Sequence, residues 1–414
     1  MQTLAYKYRL YPNKVQTAMF EQYFGCTRLL YNQLLAWWKN EYTLAKEQNR
    51  KMSNLPLVTY FKQQFPFLNG IDSLALMNTR RHIETAFKAC FKHKTARFPV
   101  FKKRGKCKDT YTTSCVNGNI TIGDNAIKLP KIGRVKCKYH RPIPDGAKLL
   151  TATVSRERNG KWYVSVTFEC DNNIPEHNTP GNPKVVGLDM SLSQFVVSSD
   201  KYDDVAKTKY VRQYRESEKT LARLSRRLSR KQGGSRNGEK ARIRLARHAQ
   251  RVANRRRDFV IKQALHYARE YDVVVVEDLD MKAMSRSLNL GKSVMDLGWG
   301  EFRRWLDWQG MKHNCEIVVV DKFYPSSKTC NHCGYVNKSL TLSDREWVCP
   351  ECGKTIDRDY NAACNLRDWY FMKYNTLGTS EINASGESCR YSGKGTLSEQ
   401  TVSVKEEATE LIRW

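Results

Sequence analysis

The stretch Tyr271-Asp-Val-Val-Val-Val-Glu277 decides the fold of this chain. An unbroken run of four valines is typical of a central strand that is covered on both faces. Two similar strands are predicted, Lys184-Val-Val-Gly-Leu-Asp189 before it and Glu316-Ile-Val-Val-Val-Asp321 after it. The stretch Phe195-Val-Val-Ser-Ser199 is predicted to form a hairpin with the first of these. Because carboxylates at the C-terminal ends of neighbouring buried strands can converge above a sheet, we predict a functional site at that edge.

A third acid is predicted from Ile356-Asp-Arg-Asp359-Tyr-Asn-Ala-Ala-Cys-Asn-Leu366, which is typical of a loop that enters a helix. Asp357 and Asp359 compete for this place, because residues two positions apart cannot both face the site from a helix. Asp357 is better placed to cap the helix N-terminus, so we favour Asp359.

Three acids brought together repel one another unless divalent cations lie between them. Asp189, Glu277 and Asp359 are therefore predicted to hold two Mg2+ ions, which Mn2+ could replace, and to hydrolyse a phosphodiester. For each acid taken singly, the alternative is an ordinary cap or ion-pair partner.

Two Cys-x-x-Cys motifs predict a metal centre. Cys330-Asn-His-Cys333 and Cys349-Pro-Glu-Cys352 are separated by fifteen residues, and each is followed by a glycine that permits a tight turn. Four thiolates at this spacing suit a closed, tetrahedral Zn2+ site of structural type. A redox Cys-x-x-Cys pair is the alternative, and two matched motifs in so short a span disfavour it. His332 is not predicted to be a ligand.

The charge balance predicts a polyanionic partner. The 414 residues include 71 Lys and Arg against 42 Asp and Glu, a formal net charge of +29. Such an excess favours binding to phosphate backbones, with a membrane surface as the alternative. No apolar run long enough for a membrane span and no secretion signal occur in the sequence, so we expect a cytoplasmic protein without a membrane partner. Most of the thirteen cysteines are scattered, which predicts reduced thiols rather than disulfides.

Two basic stretches are candidates for nucleic-acid contacts. Between Arg212 and Arg257 there are 17 Lys or Arg and three acids, and the leucine spacing predicts a helical hairpin with a cationic outer face. The stretch Phe98-Pro-Val-Phe-Lys-Lys-Arg104 mixes aromatic and basic residues, which favours either base stacking or a packed strand with a solvated basic end. The candidate contacts are Lys102, Lys103, Arg104, Arg223, Arg226, Arg227, Arg230, Lys231, Arg255, Arg256 and Arg257.

The chain is predicted to combine helical, β and α/β segments. Leu4–Tyr11 alternates like a strand, and helices are predicted over about 14–51 and 72–94, the second with Leu74, Met77, Ile83, Phe87 and Phe91 as its apolar face. Short runs between Phe98 and Cys170 predict a small antiparallel barrel or sandwich. Asp171–Asn182 is predicted to be a linker, and the polar stretch from about Asn375 a disordered tail.

Taken in order, these motifs resemble the TnpB family, transposon-encoded RNA-guided DNA endonucleases related to type V CRISPR effectors. The resemblance covers about residues 1–370. It is carried by Tyr6-Lys-Tyr-Arg-Leu-Tyr-Pro12, Phe98-Pro-Val-Phe-Lys-Lys103, Leu129-Pro-Lys-Ile-Gly133, Gly160-Lys-Trp-Tyr-Val-Ser165, Val186-Gly-Leu-Asp189, Val276-Glu-Asp-Leu279, Ser326-Ser-Lys-Thr-Cys330 through Cys352, and Asp357-Arg-Asp-Tyr-Asn-Ala-Ala-Cys-Asn365.

The resemblance implies a ribonuclease H-like (RuvC) nuclease domain at 183–325 and 354–374, with Asp189, Glu277 and Asp359 as its catalytic triad. It implies a zinc ribbon at 326–353, a β-barrel (wedge) domain at 1–12 and 98–182, and a helical recognition domain at 13–97. It also implies a guide RNA from the transposon end, double-stranded target DNA, and a target-adjacent motif read by the N-terminal domains. We expect a monomer that associates with the nucleoid when bound to DNA.

Two further hypotheses remain open at this point. One is an RNA-guided DNA-binding protein without catalysis, which should have lost one or more of the acids that this chain keeps. The other is a guide-free nuclease or a transposase, because ribonuclease H-like cores support both kinds of chemistry and fold alone does not fix function.

Overall fold

A computed structural model describes residues 2–93, 97–171, 182–192, 194–207, 210, 212–280, 291–341 and 344–380, with side chains up to residue 373. The chain divides into two compact units, Met1–Asn172 and Asn173–Trp414. The division falls within 171–182, where the sequence predicts a linker; residues 172–181 lie outside the described residues.

The first unit contains one antiparallel sheet of seven strands in the order β2-β6-β7-β1-β5-β4-β3. Strand β1 lies near the middle of the sheet and pairs with β7 and β5. The start of the chain therefore forms one sheet with strands that follow residue 98. The strands are β1 (Gln2–Tyr11), β2 (Asp109–Ser114), β3 (Thr121–Gly123), β4 (Ala126–Leu129), β5 (Gly133–Lys138), β6 (Lys148–Arg156) and β7 (Trp162–Cys170).

The prediction of a barrel or sandwich is only partly correct. Its strands are present, but they form a single sheet with β2 and β3 at its two edges. Strand β2 was not predicted, because its sequence, Asp-Thr-Tyr-Thr-Thr-Ser, is polar. Its buried side chains are Tyr111 and Thr113. The Thr113 hydroxyl donates a hydrogen bond to the buried carboxylate of Asp72. A buried hydrogen bond therefore makes this polar strand part of the core.

Helices cover one face of this sheet. They are α1 (Lys14–Glu47), α2 (Val58–Gln64) and α3 (Ser73–Lys92), with a short 3-10 helix at Pro66–Gly70. Asn13 and Gln16 form a capping box that fixes the start of α1. The side chains of α1 and α3 share one hydrophobic core with the sheet, so residues 13–97 are not a separate compact unit.

The predicted apolar face of α3 is partly wrong. Ile83 and Phe87 are buried, but Met77 and Phe91 are 45% and 67% exposed. The buried positions near the helix start are Ala75, Leu76, Asn78 and Thr79. Asn78 and Thr79 can face the core because their side chains hydrogen-bond to backbone carbonyls one turn earlier.

The second unit is built on a mixed four-stranded sheet in the order β11-β10-β8-β9. Strands β8 (Val185–Asp189), β10 (Val273–Glu277) and β11 (Glu316–Val320) are parallel, and the short β9 (Val197–Ser198) runs antiparallel to β8. The three carboxyl-ended strands and the hairpin are thus where the sequence predicts them.

Helices cover both faces of this sheet, as the valine run predicts. They are α4 (Gln213–Ser229), α5 (Arg236–Glu270), α6 (Gly291–Leu297), α7 (Trp299–His313) and α8 (Arg358–Ser380). Val274 and Val276 pack in a core with α5, α6 and α7. Val273 and Val275 pack in a second core with Leu366 and Tyr370 of α8. Successive valines therefore fill opposite cores, as the two-residue repeat of a strand requires.

Two short strands complete the second unit. The strands β12 (Glu346–Val348) and β13 (Thr355–Asp357) form an antiparallel pair, and Trp347, Ile356 and Leu340 pack in a small core with the cysteines. Helix α8 extends to Ser380, beyond the predicted start of the tail, and residues 381–414 lie outside the described residues. None of the helices in the described part of the chain is both long and apolar enough to span a lipid bilayer.

Candidate functional site

Three elements bring the predicted acids to one edge of the mixed sheet. Asp189 ends β8 and Glu277 ends β10, and the preceding residues Leu188 and Val276 are direct partners in the parallel pairing. Asp359 is the second residue of α8, which packs across β8. The close approach depends on Gly187, where a Cβ would lie 2.0 Å from the carbonyl oxygen of Ala363. Only glycine fits at this crossing, which explains the glycine inside the first carboxyl-ended strand.

Asp189 is affected by burial and by the charges of the other two carboxylates. Burial, the charge of Asp359 and the charge of Glu277 together raise the pKa of Asp189 to about 7. Burial, with a smaller contribution from Asp278, also raises the pKa of Glu277. Carboxylates that are destabilised in this way become better partners for a cation than solvated ones.

Asp189, Glu277 and Asp359 do not form a group of metal-ligating side chains among the described residues. Among the described residues, the four cysteines form the one group of three or more His, Cys, Asp or Glu side chains that could hold a metal ion. Asp359 instead pairs with two arginines: Arg345 Nη1 lies 2.9 Å from Oδ2, and Arg358 Nη2 lies 3.0 Å from Oδ1. The Ser191 hydroxyl also donates to Oδ2, at 3.4 Å.

The neighbouring acids have other roles. Asp357 Oδ1 accepts a hydrogen bond from the backbone N–H of Tyr360 at 2.7 Å, so it caps α8 as predicted. Asp321, after β11, is exposed and accepts from the backbone N–H of Phe323. Asp278 is exposed beyond the end of β10. Of the two competing acids in the last motif, Asp359 is the one that interacts with Asp189.

The cysteine group has the geometry of a zinc site. The ligand atoms of Cys330, Cys333, Cys349 and Cys352 all lie within 4.8 Å of one another. The Sγ separations are 3.8 Å for Cys330 and Cys352 and 3.5 Å for Cys333 and Cys349. A tetrahedral Zn2+ with bonds of about 2.3 Å places its sulfurs about 3.8 Å apart, which is close to these two separations, so the donor set suits zinc.

Backbone amides support thiolate formation at Cys349. Burial opposes ionisation of Cys349, but hydrogen bonds from the N–H groups of Cys352 and Glu351 outweigh it and lower its pKa to about 7. His332 is exposed and outside the group. The remaining described cysteines are free thiols, as predicted.

Three amide side chains, which the sequence analysis did not single out, join the cysteine region to α8. The backbone N–H of Asn331 donates to Asn361 Oδ1, and the Asn331 side chain donates to Asn365 Oδ1 and Asp368. In return, Asn361 and Asn365 donate to the carbonyl of Thr329. Asn361 and Asn365 are each 4% exposed. Their four-residue spacing on a helix was the available signal, because it places two amides on one face.

The basic hairpin is present as α4 and α5, and most of its predicted contacts are exposed. Arg223, Arg226, Arg227, Arg230, Lys231 and Arg255 project from its surface. Arg256 and Arg257 do not, since both pair with the buried carboxylate of Glu301 on α7. A single carboxylate balances only one of these two positive charges, so Arg256 and Arg257 stay among the predicted nucleic-acid contacts.

The hairpin is anchored by a residue that sequence analysis missed. Asp296 on α6 is 1% exposed, and its carboxylate accepts from the backbone N–H groups of Tyr214 and Arg215 in the first turn of α4. Its backbone carbonyl accepts from the Tyr210 hydroxyl. A cap supplied from a distant helix leaves no local sequence signal.

The stretch 98–104 is not a strand, so the packed-strand alternative is wrong. Phe98 packs against Trp38 and Phe87, while Lys39 lies 4.8 Å from the ring centroid of Phe101. Lys102, Lys103 and Arg104 are exposed. Backbone hydrogen bonds between Lys102 and the Asn32 side chain hold this segment to α1.

Models of three protein families match the chain and define its class. The model described as "Probable transposase" matches residues 164–288, and "Cas12f1-like, TNB domain" matches residues 299–366. A "Helix-turn-helix domain" model matches residues 1–48, where this chain has β1 followed by the single long helix α1. The chain therefore contains one segment similar to a probable transposase and a second segment similar to the Cas12f1-like TNB domain.

Curated relatives identify the family within this class. A protein of Streptomyces pristinaespiralis named "Putative RNA-guided DNA endonuclease" is 35% identical, over 87% of this chain and 88% of its own. The InsQ protein of Escherichia coli K12, which carries the same name, is 28% identical over 87% of this chain and 91% of its own. Several further relatives are TnpB-like proteins of a mimivirus. The chain belongs to the TnpB family.

A solved structure of a Cas12f1–sgRNA–target DNA complex is also similar. It is 12% identical, with a TM-score of 0.46, over 88% of this chain and 98% of the other.

Proposed function

We propose that this protein is an RNA-guided DNA endonuclease of a transposon, which cuts DNA by divalent-metal-dependent phosphodiester hydrolysis. The observation that carries the proposal is the placement of Asp189 and Glu277 at the ends of adjacent parallel strands, with Asp359 in the first turn of the helix that packs across β8. The names of the relatives from Streptomyces pristinaespiralis and Escherichia coli support the same activity.

Asp189, Glu277 and Asp359 would hold Mg2+ or Mn2+, and their hard oxygen atoms suit these ions. When bound, two such ions would activate water and stabilise the leaving oxygen of the cut strand. The mixed four-stranded sheet, with helices on both faces, supports a ribonuclease H-like (RuvC) core. In this core β8 positions Asp189 and β10 positions Glu277. Helix α8 fixes the third, because it cannot move away from Gly187 without opening the second core.

The exposed arginines of α4 and α5 would bind the phosphate backbone of the guide RNA or its target. Sequence choice would then come from base pairing between the guide and one DNA strand. We also propose that the helical residues 13–97 and the β residues 1–12 and 98–182 read a target-adjacent motif. Residues 326–353 would bind structural Zn2+. The protein would act as a monomer in the cytoplasm, and at the nucleoid when it is bound to DNA.

The test is cleavage of matching double-stranded DNA by the purified protein with its co-purifying RNA. Cleavage is expected only with Mg2+ or Mn2+, and Asp189→Ala and Glu277→Ala should abolish it while RNA binding persists. Asp321→Asn is the matched control, because Asp321 also follows a parallel strand but is exposed and should leave cleavage intact. Normal cutting by the Asp189 and Glu277 variants would refute the site assignment.

Two other outcomes identify the alternative functions. A wild-type protein that binds RNA and DNA but never cuts would be an RNA-guided binder. A protein that cuts with no RNA bound would be a guide-free nuclease or a transposase.

A further inference from the structure

One buried amide side chain of α8 contacts the backbone on both sides of a cysteine of the metal group. Asn361 Oδ1 accepts a hydrogen bond from the backbone N–H of Asn331 at 2.9 Å, and Asn361 Nδ2 donates to the carbonyl oxygen of Thr329 at 2.6 Å. These two peptide groups flank Cys330, which is 1% exposed. Asn361 therefore uses both halves of its amide to hold the backbone around a candidate zinc ligand.

A second amide, one helical turn later, extends this contact. Asn365 Nδ2 donates to the carbonyl oxygens of Ser326 and Thr329, each at 2.7 Å, and Asn365 Oδ1 accepts from the Asn331 side chain at 3.0 Å. We call Asn331, Asn361 and Asn365 the amide cluster. Because buried amides are costly to separate from their partners, the amide cluster connects residues 326–331 firmly to one face of α8.

The turn of α8 that carries Asn361 also carries the third predicted acid. Asp359 precedes Asn361 by two residues, which is about 3 Å along a helix axis. Ala363 lies against Gly187 and fixes the helix beyond this turn. The first turn of a helix lacks intrahelical partners for its N–H groups and frays most readily. The amide cluster holds this turn in place from the side of the cysteines.

A connection of this kind transmits order between two metal sites. Zinc on the cysteines orders residues 326–331 and, through the amide cluster, the first turn of α8, while a cation on Asp359 orders the same turn. We propose that the amide cluster couples the two sites, so that zinc at the cysteines and a divalent cation at Asp189, Glu277 and Asp359 each strengthen the binding of the other. This inference rests on the proposed nuclease function and adds positioning residues to its site.

The coupling is measured as the effect of Mg2+ on zinc affinity. The zinc affinity of the protein–RNA complex is determined without DNA by competition with a zinc-chelating dye, with and without saturating Mg2+. Because couplings between two sites are typically about 5- to 150-fold, Mg2+ should raise the zinc affinity of the wild type by about fivefold or more. In Asn361→Ala this effect of Mg2+ should disappear.

The coupling also predicts a change at the acids. Coupling between two binding sites is reciprocal, so the Kd for Mn2+ of the zinc-loaded complex should rise by about fivefold or more in Asn361→Ala. Electron paramagnetic resonance of free Mn2+ reads this Kd. An unchanged Kd for Mn2+ in a folded, zinc-loaded Asn361→Ala protein would overturn the proposal.

Two control variants separate coupling from a general loss of structure. Asn337→Ala removes an amide of the same segment whose side chain accepts from Ser339 rather than from α8. It should retain the full effect of Mg2+, whatever its absolute zinc affinity. Asp359→Asn keeps the amide cluster but alters the cation site, so the effect of Mg2+ should be lost.

An exposed position gives a test that does not depend on an interior substitution. Asn331 is exposed, and Asn331→Ala removes its side-chain hydrogen bonds to Asn365 and Asp368 while its backbone N–H still donates to Asn361. The effect of Mg2+ on zinc affinity should fall to about twofold or less. A full effect of Mg2+ in Asn331→Ala would overturn the proposal, even if Asn361→Ala does not fold.

The wild type distinguishes failure of the coupling from failure of the nuclease function. A wild-type complex that cuts DNA but whose zinc affinity does not respond to Mg2+ would overturn the coupling alone. A wild-type complex that neither binds Mn2+ nor cuts would overturn the nuclease function, and the coupling with it.

Discussion

The carboxyl group of Asp189 affects the free energy of unfolding, because its pKa differs between the folded and the unfolded chain. Burial, together with the charges of Asp359 and Glu277, raises the pKa of its carboxyl to about 7. An ordinary aspartate in an unfolded chain has a pKa of about 3.9. The folded protein therefore holds a proton on Asp189 that the unfolded chain has already released.

This difference predicts how stability depends on pH. Because the pKa is raised by folding, unfolding releases a proton between about pH 4 and pH 7, and the metal-free protein loses stability as the pH rises through that window. Asp189→Asn carries no charge to bury, so it should be more stable than the wild type by roughly 4 kcal/mol at pH 8. The advantage should vanish near pH 4.

The measurement is urea unfolding at pH 4, 6 and 8 in buffer without Mg2+ or Mn2+. Asp321→Asn at the exposed strand end should remain within about 0.5 kcal/mol of the wild type throughout. An Asp189→Asn protein no more stable than the wild type at pH 8 would contradict the assigned environment of this carboxyl.

At the scale of elements, the contact between β8 and α8 determines where the third acid lies. Gly187→Ala would place a methyl group 2.0 Å from the Ala363 carbonyl oxygen and 2.6 Å from the Arg367 backbone nitrogen. These two atoms belong to the backbone of α8 and cannot rotate away as a side chain can, so the whole helix must move. We expect this movement to destabilise the protein by about 1–3 kcal/mol. A shift of about 1 Å at Asp359 should lower DNA cleavage by roughly 100-fold.

Gly300→Ala on α7 is the matched control, because nothing lies within 4 Å of its added methyl group. It should keep full cleavage and stay within about 1 kcal/mol of wild-type stability. Both variants are compared by thermal unfolding and by cleavage, and full activity of Gly187→Ala would argue against α8 as the element that positions Asp359.

The attachment of the basic hairpin gives a second prediction at this scale. Asp296→Ala removes the cap of α4 and should destabilise the protein by about 1–2 kcal/mol, because two backbone N–H groups lose their acceptor. Hydrogen exchange should rise first at residues 213–217. Asp258→Ala, which removes an exposed partner of Lys262 on α5, should cost less than about 0.5 kcal/mol. Equal losses in the two variants would mean that Asp296 is not a cap.

At the scale of the whole molecule, the net charge of +29 should make nucleic-acid binding strongly dependent on salt. Replacing Arg223, Arg226, Arg227 and Arg230 by alanine should reduce the slope of log Kd against log salt concentration by about 3 for RNA. The slope is measured by titration of the co-purifying RNA at several salt concentrations. The double variant Lys312→Ala/Lys338→Ala, which lies outside the hairpin, should leave the slope nearly unchanged. An unaltered slope in the arginine variant would show that the hairpin does not contact phosphates.

The sequence predicts the apolar elements of this molecule well and its long-range polar contacts poorly. Valine runs, leucine spacing and paired Cys-x-x-Cys motifs are local patterns, and the mixed sheet, the helical hairpin and the cysteine group follow from them. Asp357 was separated from Asp359 because helix capping is local too. Arg256, Arg257 and Asp296 each interact with partners more than 40 residues away, and strand β2 depends on Asp72, so no local sequence pattern could predict these contacts.

The order of the acids along the chain has a consequence for protein synthesis. Helix α8, which supplies Asp359 and covers Val273 and Val275, is the last described element to leave the ribosome. A product terminated before residue 358 lacks Asp359, and it exposes the face of β10 that carries Val273 and Val275 to chaperones and proteases. Incomplete translation therefore yields a polypeptide that lacks one acid of the proposed catalytic site and exposes apolar surface to proteases.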